Sequence, residues 1–160
     1  MKKLHTVSSL QPYLIRNQLR DIPKTIVFTN GCFDILHKGH VAYLEFCKSQ
    51  GDKVIIGLNS DSSVRRIKGD GRPVNSQNDR AYVLSALKVV DYIIIFYEVT
   101  SLPLIQSISP DILVKGSDWN IEQVVGKEFV ESHGGDVVLA PFVEGKSTTS
   151  TIDKIRSGSY

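Results

Sequence analysis

The chain has 160 residues, enough for one domain with a buried core. Its net charge of +2, from 19 Lys and Arg against 17 Asp and Glu, and the lack of any run of five cations exclude an electrostatic nucleic-acid binder. Hydrophobic residues make up 41%, with no 18-residue apolar stretch, which excludes a membrane-spanning helix and leaves an ordinary globular protein.

The N-terminal MKKLHTVSSLQPYL starts basic but lacks the apolar run of a signal peptide, and Leu10 to Leu19 is expected to be an extra helix. Cys32 and Cys47 have no CxxC partner, so neither a disulfide framework nor a metal knuckle is expected. A reducing, cytoplasmic setting is the simplest reading.

Five short apolar runs then alternate with helix-like stretches. The runs are Thr25 to Thr29, Lys53 to Leu58, Asp91 to Phe96, Asp111 to Val114 and Asp136 to Ala140. They are continuous rather than alternating, the pattern of strands buried on both faces of a parallel sheet. Helices are expected over Gly39 to Ser49, with Val41, Leu44 and Cys47 on one face, and over Ser76 to Val89, with Tyr82, Val83, Ala86 and Leu87 on one face. Ser101 to Ser109, Ile121 to Ser132 and Thr148 to Arg156 are three more. The stretches 29–38, 60–75, 115–120 and 141–147 read as loops. The fold class is therefore α/β: a Rossmann-like, doubly wound, five-stranded parallel sheet. Ligands of such sheets bind at the carboxyl ends of the strands.

The first of those loops, TNGCFDILHKGH, is neither a dinucleotide fingerprint nor a P-loop. It delivers His37 and His40, three residues apart, with Gly39 between them and a helix N-terminus behind them that favours phosphate. A zinc site would need a third ligand, and neither cysteine sits at a suitable spacing. GKSTTSTIDKI places hydroxyls of Ser147, Thr148 and Thr149 at a second helix start after the fifth strand, where they serve as caps or as phosphate ligands. IKGDGRPVN, followed by Arg80, supplies Lys68, Arg72 and Arg80 for phosphate, or else is a solvated loop expected to have some freedom to close. VKGSDW offers Lys115, Gly116 and Asp118 to base, ribose or acceptor, and Trp119 to a ring or to packing.

TNGCFDILHKGH, the Arg80 segment, PDILVKGSDW and STTSTI together resemble the cytidylyltransferase-like superfamily of HxGH nucleotidylyltransferases. SVRRIKGDGRPVN, VDYIIIFYEVT and PFVEGKSTTSTI are similar to the heptose 1-phosphate adenylyltransferases within it, in the form that stands alone rather than behind a sugar kinase. The resemblance covers residues 25 to 157 and implies a single nucleotidylyltransferase domain over 1–160, with 1–24 as a helical extension and 25–157 as the core. It implies transfer of AMP from ATP to D-glycero-β-D-manno-heptose 1-phosphate, giving ADP-heptose and pyrophosphate. His37, His40, Lys38 and Lys68 would carry catalysis. Thr29, Asn30, Gly31, Cys32, Phe33, Asp34, Gly39, Arg80, Lys115, Gly116, Asp118, Ser147, Thr148 and Thr149 would bind nucleotide, and Lys68 and Arg72 the acceptor. Mg²⁺ would accompany ATP, held by phosphate oxygens and water, with no protein metal site. A homodimer, and no nucleic-acid or membrane partner, complete what the resemblance implies. Glycerol-3-phosphate cytidylyltransferases carry an Arg ahead of the serine–threonine motif. Here Pro141 to Lys146 has none, which favours ATP and leaves Lys146 as a substitute cation. A different acceptor or a non-catalytic nucleotide-binding module remain the alternatives.

Overall fold

A computed structural model describes residues 4–5, 24–141 and 143–158. The helix expected over Leu10 to Leu19 lies outside the described residues. The elements are β1 (Leu4–His5), β2 (Ile26–Gly31), α1 (Lys38–Ser49), β3 (Lys53–Asn59), α2 (Asp61–Lys68), α3 (Gln77–Ser85), β4 (Tyr92–Phe96), α4 (Leu102–Ile108), β5 (Ile112–Gly116), a 3₁₀ turn (Ile121–Gln123), α5 (Lys127–Ser132), β6 (Asp136–Ala140) and α6 (Thr148–Ser157). The five expected strands form a parallel sheet, and the two-residue β1, which was not anticipated, pairs with β4 at the edge. The strand order is β1-β4-β3-β2-β5-β6.

The strands are apolar throughout because both faces are covered. Val27, Val54, Ile56, Ile93 and Ile95 join Leu44 and Cys47 of α1 and Ala81 and Leu84 of α3 in one core. The alternate residues Ile26, Phe28, Ile55 and Ile94 join Leu104, Ile105 and Ile108 of α4 and Val130 of α5 in the other. Each fully buried Ile, Leu or Val contributes roughly 1.5–3 kcal/mol of transfer free energy. At the amino ends of the strands, carboxylates staple the backbone. Asp111 accepts from the Ile26 N–H (2.7 Å), Asp91 from the Val54 N–H (2.9 Å) and Asp52 from the Thr25 N–H (2.9 Å).

Three helical expectations are corrected. The stretch 60–75 is not wholly loop: Ser60 caps α2 by accepting from the Ser63 N–H, and only Ser63 and Val64 of that helix are buried. Helix α3 ends at Ser85 and buries Arg80, Ala81 and Leu84; of the face expected inward, Tyr82 is 70% and Val83 48% exposed, and Leu87, beyond the helix, packs against the core. The stretch from Ile121 to Ser132 is two elements, broken at Gly126, whose φ of +89° suits glycine. Among the described residues no helix is long and apolar enough to cross a membrane.

Candidate active site

The chain leaves β2 toward β3 and β4 on one side and returns to β5 and β6 on the other, so the topological switch lies between β2 and β5. Pairing of β2 with β3 runs to Gly31↔Leu58, but pairing of β2 with β5 ends at Phe28↔Leu113. Above that point the strands part. Tyr43 of α1 fills the gap: its hydroxyl donates to the Val114 carbonyl (3.0 Å) and accepts from Thr29 Oγ1 (2.6 Å). A cleft of about 540 Å³ opens over this split.

Both histidines stand at the start of α1, and local hydrogen bonds orient them. His37 is the N-cap, and its Nδ1 accepts from the Gly39 N–H (3.1 Å), while His40 Nδ1 accepts from the His37 N–H (3.3 Å). With Nδ1 accepting in each ring, the proton of the neutral form belongs on Nε2. The rings stack, with centroids 3.9 Å apart. Burial, and next to it the neighbouring His37, pushes His40 down to about 4, and burial with the Lys146 charge lowers His37. Both imidazoles are therefore neutral Nε2–H donors near pH 7. Gly39 leaves room for this arrangement: a β-carbon there would lie 2.9 Å from His37 Cε1. Phe33, at a left-handed φ of +46°, turns its ring over Gly31 and toward His40 (centroids 5.5 Å), contributing to the burial of that imidazole.

Helix α6 reaches the same rim. Ser147 caps it by accepting from the Ser150 N–H (3.0 Å), and Thr148 Oγ1 donates to the Ile35 carbonyl (3.4 Å) beside the first loop. Neither α1 nor α6 has an acidic residue in its first turn, so neither positive helix end is neutralised.

On the opposite wall, Asp34 is wholly buried and accepts from Arg72 Nε (2.7 Å) and from the N–H groups of Val74 (2.9 Å) and Asn75 (3.0 Å). Burial opposes ionisation of Asp34, but the hydrogen bonds from Asn75, Val74 and Arg72 outweigh it and hold the carboxyl below the usual carboxylate range. The loop after α2 is thus tied down along 72–75, contrary to the expected freedom to close. Behind it, buried Arg80 donates to the Cys32 carbonyl (2.5 Å), the Asn75 carbonyl (3.0 Å) and Asp61 (2.8 Å). At the end of β5, Lys115 donates to Asn30 Oδ1 (2.6 Å) and lies 5.5 Å from the centre of the Trp119 ring. Burial brings Lys115 down to about 8, partly offset by the charge of Asp118.

The cleft therefore gathers Asn30, Gly31, Cys32, Phe33, Asp34, His40, Lys68, Arg72, Lys115, Gly116, Thr148 and Thr149 from the residues expected in the site. His37, Gly39 and Ser147 stand one layer behind it as caps and spacers. Arg80 and Thr29 are not on its wall: the first braces the loops and the second serves Tyr43. Lys38 is exposed at the start of α1, away from the lining, and Asp118 packs against Gly116 just outside it. Reading the sequence missed Tyr43, Asn59 and Ser101, which also line the cleft. Tyr43 was signalled by its place three residues after His40 on the same helical face. Asn59 ends β3 and Ser101 is the N-cap of α4, so both lie on the carboxyl-end side of the sheet. Among the described residues no group of three or more His, Cys, Asp and Glu is placed to hold a metal ion.

A cytidylyltransferase-like family model matches residues 28–149. The bifunctional protein HldE of Geotalea uraniireducens is 57% identical over 136 residues, covering 85% of this chain and 28% of that protein. The bifunctional protein HldE of Syntrophotalea carbinolica is 51% identical over 148 residues, covering 88% and 30%. The chain thus spans less than a third of the length of these curated relatives. Among solved structures, a lipopolysaccharide core biosynthesis protein from Thermoplasma volcanium superposes with a TM-score of 0.62 at 29% identity, over 77% of this chain and 99% of that one. A pantoate–β-alanine ligase from Francisella tularensis shares the fold, with a TM-score of 0.65 at 20% identity over 88% and 67% of the two chains. With HxGH at the head of α1, the STT hydroxyls at the head of α6 and a family match across most of the described fold, the chain belongs to the cytidylyltransferase-like family.

Proposed function

We propose that the protein transfers AMP from ATP to D-glycero-β-D-manno-heptose 1-phosphate. The observation that carries the nucleotidyl transfer is the meeting, at one cleft, of two acid-free helix N-termini and a pair of neutral imidazoles with Nε2–H to donate. The heptose assignment is supported by SVRRIKGDGRPVN and PFVEGKSTTSTI, by the HldE relatives and by the solved lipopolysaccharide core biosynthesis relative.

In this reading a phosphate oxygen of the acceptor attacks the α-phosphorus of ATP. The bond from that phosphorus to the α–β bridging oxygen breaks, and pyrophosphate leaves with the electron pair. The acceptor is already an anion, so no general base is required, and catalysis is positioning plus charge stabilisation. His40 Nε2–H, supported by His37, donates to the α-phosphate region as charge develops. The α6 N-terminus with Thr148 and Thr149 holds the β and γ phosphates. The backbone of 31–33 and the Lys115–Gly116 corner line the nucleoside, and Lys68 and Arg72 face the acceptor phosphate. Neutral histidines suit this work, since they donate without the desolvation cost of a buried cation. Mg²⁺ bound with the triphosphate would offset its charge. Asp34 is committed to Arg72, Val74 and Asn75, so the ion would rest on phosphate oxygens and water rather than on a protein cage. The same reading takes residues 25–157 as the transferase core and a homodimer as the working form.

The test is an acceptor panel of heptose 1-phosphate, glycerol 3-phosphate, phosphopantetheine and FMN, with ATP and with CTP, read by pyrophosphate release. Release with ATP and heptose 1-phosphate alone is expected. Preference for CTP or for another acceptor refutes the assignment, and no release from any pair refutes transfer.

A further inference from the structure

A second cavity, of about 320 Å³, lies beside the cleft and shares Lys68, Arg72 and Thr149 with it. One wall is a single face of α6: Thr149, Ile152, Asp153 and Arg156 follow at three- and four-residue steps. The other wall is the stretch from Lys68 to Val74, whose far end Asp34 fixes through Arg72 and Val74. Three cations, Lys68, Arg72 and Arg156, line the pocket with one carboxylate, Asp153, and Arg72 is also paired with Asp34 behind the wall, so one positive charge remains in excess. It opens at the first turn of α6, whose N-terminal amides have no competing acidic residue. A small, multiply charged anion fits this chemistry: cations on two sides, with the Thr149 hydroxyl and the α6 N-terminal amides at the mouth.

We infer that this side pocket receives the pyrophosphate released by the reaction, with Arg156 as the residue dedicated to it. The inference rests on the transfer reaction proposed above, in which the β and γ phosphates sit at the head of α6. Once the α–β bond has broken, the diphosphate has only to pass Thr149 to reach Lys68, Arg72 and Arg156. Moving it there clears the head of α6 for the next nucleotide.

The test measures binding of inorganic pyrophosphate to the full chain by calorimetry, without nucleotide or acceptor. Arg156→Ala should weaken pyrophosphate binding about ten- to a hundredfold, as loss of a charged hydrogen bond does, and should change ATP binding less than about threefold. Arg156→Lys should restore part of the affinity. Asp153→Asn should tighten pyrophosphate binding about twofold or more by removing the like charge, a response that disruption of the helix would not give. Unchanged pyrophosphate affinity in Arg156→Ala overturns the inference. Equal losses for ATP and pyrophosphate also overturn it, because Arg156 would then belong to the triphosphate site. Neither result touches the transfer reaction itself, which fails only if the acceptor panel releases no pyrophosphate.

Discussion

Replacing His40 by Asn separates its two structural duties. The Asn side-chain oxygen can stand where Nδ1 accepts the His37 N–H, so the start of α1 stays tied, while the Nε2–H donor disappears. The cleanest consequence is thermodynamic. The folded imidazole titrates at about 4, whereas an unfolded one titrates at 6.5. Between these values the unfolded chain holds the proton and the folded chain refuses it, so stability rises with pH across the window and is lost as pH falls through it. Integrating this difference from pH 8 to pH 5 gives a loss of about 2 kcal/mol from His40 alone. In a chain of this size that is a drop of roughly 4–8 °C in Tm. Urea denaturation of the wild type and of His40→Asn at both pH values measures it. Groups such as Asp34 and Asp91, whose carboxyls are held low, contribute to both proteins and cancel in the comparison. The variant should lose about 2 kcal/mol less than the wild type between the two conditions. If both lose the same amount, His40 is not held neutral, and the case for a neutral donor collapses.

The same variant should lower turnover by about 10²–10³-fold with a much smaller change in ATP affinity, measured by steady-state kinetics and calorimetry. An equal fall in both would make His40 a ground-state ligand. Lys68→Ala should raise KM for the sugar phosphate about ten- to a hundredfold and KM for ATP far less, since Lys68 lines the wall opposite α6. Arg80→Ala should cost about 3–5 kcal/mol in chemical denaturation, because it strands two carbonyls and Asp61 behind the cleft wall. Gly39→Ala should reduce activity by displacing the His37 ring, and a crystal structure of the variant would show the ring moved.

The parts of this protein that the sequence disclosed are those written in apolar runs and unusual polar spacing. Five strands stood out because both their faces are buried, and HxGH stood out because two imidazoles flank a glycine just after a strand. What stayed hidden has a shared cause: polar residues doing interior work. Arg80 is expected to contact phosphate, yet it lies buried behind the cleft, held by the Cys32 and Asn75 carbonyls and Asp61. Once Arg80 is counted with Ala81 and Leu84, the buried face of α3 is plain. Asp34 was read as facing the nucleotide, but its two oxygens are taken by Arg72, Val74 and Asn75, contacts some forty residues away that no local pattern announces. Helix α2 buries only Ser63 and Val64, too little to leave an apolar period. A two-residue edge strand such as β1 leaves even less.

The cap on α1 has a consequence for anyone hoping to improve this protein. Serine, aspartate and asparagine are the preferred residues at a helix start, and histidine is not among them. Any of the three at position 37 would accept from the Gly39 or His40 amide and would be expected to hold the helix as well as or better than imidazole does. A screen for thermal tolerance would favour such a replacement. In the proposed chemistry it would also strip away the ring stacked on His40, so the hardier enzyme would be the idle one. Selection for heat resistance and selection for turnover thus pull in opposite directions at this single residue.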